Sequence, residues 1–188
     1  MTTPQQDAAV QGTLFDLAPT EQVGYRVPIA CQVAGITYRQ LDYWARTNLV
    51  RPSVRGARGS GSQRLYSFRD ILVLKIVKRL LDTGISLQNI RQAVDRLRDR
   101  GVEDLAGITL VSDGTTVYEC RSSNEVIDLL AGGQGVFGIA VPGIVKELSG
   151  TISNFPSERI DPVLEAHHNA AAVARDDLAA RRKARRSS

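Results

Sequence analysis

The chain reads as a mainly α-helical N-terminal domain joined to a small α+β C-terminal domain, set between a polar arm and a basic tail. Three observations predict this. Apolar residues recur at helical spacing from Val27 to Leu97, the recurrence gives way to alternation after Gly101, and neither end holds a sustained period. A length of 188 residues accommodates one domain, or two small ones with tails. The expected divisions are 1–24, 25–101, 102–158 and 159–188.

Residues 1–24 are rich in Gln, Thr and Ala and read as a disordered, flexible arm. Val27–Val33 form a first helix, with Pro28 tolerated in its opening turn, and Gly35 breaks it. Thr37 caps a second helix that starts at Tyr38 and runs to Thr47. Helix, glycine-containing turn, helix is the helix-turn-helix unit. In the second helix Leu41, Trp44 and Ala45 fall at core spacing, while Arg39, Tyr43 and Arg46 fall at i, i+4, i+7 on a polar stripe. One face packs and the other is free to enter a groove. Tyr43 has a second reading, with its ring in the core and only its hydroxyl outside.

Pro52 ends that region, and Arg55–Ser62 is too glycine-rich to pack. Flanked by Leu49-Val50 and Leu65-Tyr66, it reads as the tip of a two-stranded wing whose arginines reach phosphates or a minor groove. Ser67 caps a third helix ending at Asp82, with a wide apolar face. Ser86 caps a fourth, with Leu87, Ile90, Val94 and Leu97 in one stripe, and Gly101 stops it.

Beyond Gly101, Ile108–Val111 and Thr115–Cys120 flank Ser112-Asp113-Gly114, a hairpin signal. Ser122 and Glu125 make a capping box for a helix over Glu125–Leu130, and Val136–Val141 reads as a buried strand ended by Pro142. Gly132–Gly135 is a turn; it lacks the Lys-Ser/Thr ending of a phosphate loop. No nucleophile–base arrangement or carboxylate pair stands out, so no enzyme is expected. This module is read as a dimerisation or ligand-sensing unit, and its size favours burying a face against a twin. The alanine-rich segment from Ala166 to Arg186 is a frayed helix or a disordered basic tail.

Charge is segregated. Between Tyr25 and Asp70 lie eight arginines (26, 39, 46, 51, 55, 58, 64 and 69), no lysine and two acids, Asp42 and Asp70. That excess is the footprint of a polyanion-binding surface, and arginine suits forked contacts to phosphate or guanine. Residues 101–170 carry ten acids against three bases and are not expected to touch DNA. Cys31 and Cys120 lie far apart, and two His stand together at 167 and 168, so neither metal nor cofactor is expected. The polar N-terminus is no signal peptide, and the apolar stretch Ile71–Val77, cut by Lys75, is too short for a bilayer. A soluble, cytoplasmic, nucleoid-associated protein without membrane contact is the expectation.

Five pieces in order resemble the DNA-binding domain of the MerR family of bacterial transcription regulators, over residues 25–97. They are Val33-Ala34-Gly35-Ile36-Thr37, Leu41-Asp42-Tyr43-Trp44, Leu49-Val50-Arg51-Pro52, Gln63-Arg64-Leu65-Tyr66-Ser67 and Asp82–Ile90. The resemblance implies a winged helix-turn-helix that binds inverted-repeat operators as a homodimer. It also implies distortion of an overlong promoter spacer for RNA polymerase holoenzyme. The DNA-binding set is then Thr37, Tyr38, Arg39, Tyr43 and Arg46 on the recognition helix, with Arg55, Arg58, Arg64 and Tyr66 on the wing. Asp42 departs from the pattern; it accepts from a cytosine amino group or pairs with Arg46 at i+4, and the pair is favoured. Gln63 replaces an aromatic residue, and the cysteines of the metal-sensing members are absent, so metal sensing is not carried over. An architectural or excisionase-like protein is the alternative. Another is a regulator recruited through its arm, where Gln11–Phe15 is similar to peptides that dock on the replication sliding clamp.

Overall fold

The computed structural model describes residues 22–56, 63–133 and 137–161. Val23–Glu158 makes one compact unit. Strand β1 (Gln22–Arg26) leads directly into helix α1 (Val27–Ala34), and Gly35 closes α1 in the left-handed conformation at φ 71°. Helix α2 (Tyr38–Arg46) follows, then the two-residue strand β2 (Leu65–Tyr66). Helices α3 (Phe68–Asp82) and α4 (Leu87–Leu97) start at Ser67 and Ser86, whose hydroxyls accept from the backbone N–H three residues on.

The arm was expected to extend to residue 24, but its last residues belong to β1, which pairs antiparallel with β2 (Tyr25 opposite Tyr66, Arg26 opposite Leu65). Gly24 makes this possible. A Cβ there would stand 2.9 Å from Leu65 Cβ and 3.0 Å from Val54 Cγ1, so only glycine lets the strand lie that close. Leu49-Val50 was expected as the first arm of a wing. Both residues are buried in the core instead, and Leu65 exchanges backbone hydrogen bonds with Arg55. A single bridge therefore stands where a two-stranded arm was expected.

After α4 comes a five-residue helix that periodicity did not reveal, α5 (Val102–Ala106), anchored by buried Leu105. Strands β3 (Thr109–Ser112) and β4 (Val117–Cys120) form the expected hairpin, although its turn spans Asp113–Thr116. Helix α6 (Ser123–Ala131) then leads to β5 (Phe137–Ala140), which pairs antiparallel with β3 to give the order β4-β3-β5. Pro142, expected to stop a strand, lies in the first turn of α7 (Val141–Ile152), where its missing N–H costs nothing. The described residues end with β6 (Glu158–Ile160), so the segment expected to be helical or disordered from 159 begins in a strand.

One hydrophobic cluster runs from Ala30 to Ile152. Its axis is α3, buried along most of its length because α1 and α4 pack against it from one segment and α7 from the other. A helix buried on so wide a face needs such neighbours. α7 brings Val141, Ile144, Leu148 and Ile152 to that core. Residues on both sides of Gly101 thus bury each other's apolar surface.

Candidate nucleic-acid interface

The outward face of α2 is built on a fixed frame. Leu41 and Trp44 are buried beneath it. At its start Thr37 and Gln40 form a reciprocal capping box: the Gln40 N–H donates to the Thr37 hydroxyl at 3.2 Å, and the Thr37 N–H donates to Gln40 Oε1 at 2.9 Å. At its end the Thr47 carbonyl accepts from Nη1 of Arg91 at 2.7 Å, and the Asn48 carbonyl from Nη2 of Arg98 at 3.1 Å. Both arginines lie where a helix C-terminus favours positive charge. Asn48 takes φ 60°, a conformation asparagine tolerates, and the chain turns there into the core at Leu49.

On this frame Tyr38 is 64% and Tyr43 47% exposed. Tyr43 does not pack in the core. Arg39 is exposed too, and no hydrogen bond or ion pair holds it among the described residues. These three side chains project from one end and one face of the helix. Thr37 is occupied by its own cap.

Arg46 and Arg64 are brought together by one acid. Asp42 Oδ2 pairs with Nη2 of Arg46 and Oδ1 accepts from Nη1 of Arg64, both at 2.9 Å. The expected i,i+4 pair is present, and the second bridge to Arg64 went unread because 22 residues separate the partners. Arg64 lies mostly beneath the surface, with 19% of its side chain exposed. Tyr66, expected on a phosphate, is fully buried; among the described residues no well-formed hydrogen bond reaches its hydroxyl, and burial pushes its pKa up to about 12 although the neighbouring Arg64 opposes the rise. Arg55 sits at the bridge to Leu65, and Arg58 lies outside the described residues.

Other arginines of the basic segment have structural tasks. Arg26 pairs with Glu158, and Arg51 donates to Asn48 Oδ1. Arg69 reaches the end of α4, donating to the carbonyls of Leu97 (2.8 Å), Arg98 and Arg100 (2.6 Å). Nearby, buried Asp70 accepts from the Ser53 N–H at 2.7 Å, the Ser53 hydroxyl at 2.8 Å and the Ser67 N–H at 2.9 Å, tying the loop after α2 to α3. Sequence reading missed Arg91 and Arg98 as supports. It had Thr37 as the cap of α2, but not Gln40 as its reciprocal partner.

Such an arrangement, two helices with the second anchored at both ends and bearing exposed Arg and Tyr, defines a helix-turn-helix protein of the DNA-binding class. A family model described as MerR HTH family regulatory protein matches residues 25–97. An uncharacterised HTH-type transcriptional regulator of Mycobacterium bovis is 68% identical over 94% of this chain and 77% of its own length. More distant are a heavy metal-dependent transcription regulator of Rhizobium meliloti (34%, over 36% of this chain and 44% of its own) and the regulator GlnR of Bacillus cereus (33%, over 37% and 51%). Among solved structures, a MerR family transcriptional regulator from Bacillus cereus aligns over 81% of this chain and 98% of its own, at 20% identity and a TM-score of 0.34. The chain belongs to the MerR family of helix-turn-helix transcriptional regulators, which implies DNA binding. Among the described residues no helix is long and apolar enough to cross a membrane. The clamp-like Gln11–Phe15 and the basic run after Ala180 lie outside the described residues.

Proposed function

We propose that this protein is a homodimeric, sequence-specific regulator that places one α2 in the major groove of each half of an inverted-repeat promoter site. Acting there, it distorts the spacer for RNA polymerase holoenzyme. The observation that carries the reading is the exposed set Tyr38, Arg39 and Tyr43 on a helix whose base, cap and C-terminus are all held. A rigid helix with an unengaged guanidinium is what bidentate reading of guanine requires. Arg46 and Arg64 supply backbone contacts, with Arg55 and Arg58 further along the groove and Tyr66 beside Arg64. Residues 102–158 provide dimerisation; α6 has no buried residue and turns Ile127 and Leu130 outward, the kind of exposed apolar surface that marks association.

The test is footprinting of the bound protein across the genome of its native cell, followed by binding measurements on the sites recovered. Arg39→Ala should cost about 1–3 kcal/mol on those sites and relax their sequence preference. Arg64→Ala should weaken every sequence alike and reduce the salt dependence. Broad coverage with no shared motif, unchanged by Arg39→Ala, would establish the architectural alternative instead.

A further inference from the structure

α2 contains a single acid, Asp42, on the side of the helix that carries its arginines. Each of its carboxylate oxygens is taken by a different guanidinium, Arg46 from the same helix and Arg64 from the approach to β2, at 2.9 Å in both cases. Asp42 and Arg64 are each less than one quarter exposed, so water screens this group weakly. The three side chains together carry one net positive charge rather than two. Arg39, on the same helix, has no such partner among the described residues.

We propose that Asp42 is a specificity-determining residue that lowers the affinity of this surface for DNA of any sequence while leaving the base-reading side chains untouched. A phosphate approaching Arg46 or Arg64 meets a carboxylate already at hydrogen-bond distance from the same guanidinium. It must share that guanidinium or displace the acid, and fewer counterions are released for the contacts made. Backbone grip falls for every sequence alike. Contacts from Tyr38, Arg39 and Tyr43 to base edges do not pass through Asp42, so the ratio of specific to non-specific binding rises. The inference rests on the reading of α2 as the DNA-reading helix.

It is tested with Asp42→Asn and Arg46→Gln in the full chain, using a random-sequence DNA duplex as the probe and titrating salt. Asp42→Asn should bind the duplex several-fold more tightly, with a log–log salt slope steeper by about 0.9, the equivalent of one more phosphate. Arg46 is 69% exposed, so Arg46→Gln leaves the fold intact. It should change the slope by much less in the wild-type background than in the Asp42→Asn background. An unaltered slope in Asp42→Asn overturns the proposal. So does weaker binding with a shallower slope, which would make Asp42 only a holder of Arg64. A full one-phosphate loss from Arg46→Gln in the wild type overturns it as well. In these three cases wild-type binding, and with it the reading of α2, stands. A wild-type chain that does not bind duplex DNA at all removes that reading and the inference together.

Discussion

Residues 25–101 and 102–158 use charge in opposite ways. In the first segment arginine dominates, and most of it is engaged at home: Arg69 on the carbonyls ending α4, Arg91 and Arg98 on those ending α2, Arg46 and Arg64 on Asp42. In the second segment acids dominate, and three of them reach back into the first, Glu158 to Arg26 among them. Glu119 pairs with Arg100, and Glu147 of α7 takes both Lys75 (2.9 Å) and Arg79 (2.7 Å) of α3. The acidic module is therefore in part the counter-charge of the basic head. Eight arginines between Tyr25 and Asp70 overstate the surface open to a polyanion. How much of that charge is open depends on which guanidiniums lack a carbonyl or carboxylate, and of the eight Arg39 is the clear case among the described residues.

The strongest way to break the contrast is through the shared core. Leu148 of α7 is fully buried within the cluster that includes α3. Leu148→Ala should cost about 2–5 kcal/mol by lost transfer energy and the cavity left behind. Because residues on both sides of Gly101 pack on α3, the loss should be felt in α2 as well. Trp44 is the only tryptophan of the chain and sits buried in α2, so its fluorescence reports that helix alone. The Trp44 transition and the far-ultraviolet transition should move down together. A Trp44 transition that stays in place while helix signal is lost earlier would show two separately stable domains.

How much of this was legible follows from where each signal sits. Three of the helices over 27–97 were readable because each begins with a local cap, Thr37, Ser67 or Ser86, and carries its apolar stripe within one turn's reach. α7 was hidden by Pro142 and by Gly143 and Gly150, which depress helix propensity, although Val141, Ile144, Leu148 and Ile152 kept a helical spacing. β1 was hidden because Gly24 resembles a flexible residue until Leu65 and Val54 are seen against it. In the interface, exposed Arg39 and Tyr43 were legible from position on α2. The burial of Tyr66 and the second bridge of Asp42 were not, since β2 packs on α1 and α3 and Arg64 lies 22 residues from Asp42. Local chemistry was readable, and the partners of long side chains were not.

Tyr66 sharpens the contrast between holding and reading. A buried hydroxyl that no well-formed hydrogen bond reaches among the described residues is a cost to the fold, so Tyr66→Phe should leave the melting temperature unchanged or raise it. If the hydroxyl meets a phosphate once Arg64 engages DNA, the same change should weaken binding by about 1.5–3 kcal/mol, the range for a hydrogen bond to a charged group. Binding that survives intact would leave Tyr66 a core residue alone and the phosphate contact near β2 to Arg64.

The smallest expected effect concerns the contact between α7 and α3. The Glu147 carboxyl is held below its ordinary value of 4.5, chiefly by the hydrogen bond from Lys75; burial opposes this, and the charges of Lys75 and Arg79 add to it. A carboxylate with a lowered pKa in the folded state contributes stability that is fully present above its unfolded value and is lost as pH falls through the folded one. Glu147→Gln should therefore lower the melting temperature at neutral pH, and the gap to the wild type should close progressively as the solution is acidified below 4.5. Glu147 is nearly half exposed, so solvent screening limits the difference to about 0–1 kcal/mol. A gap that persists unchanged into acid would mean that the side chain acts by packing rather than by charge. The basic head would then owe nothing measurable to that acid.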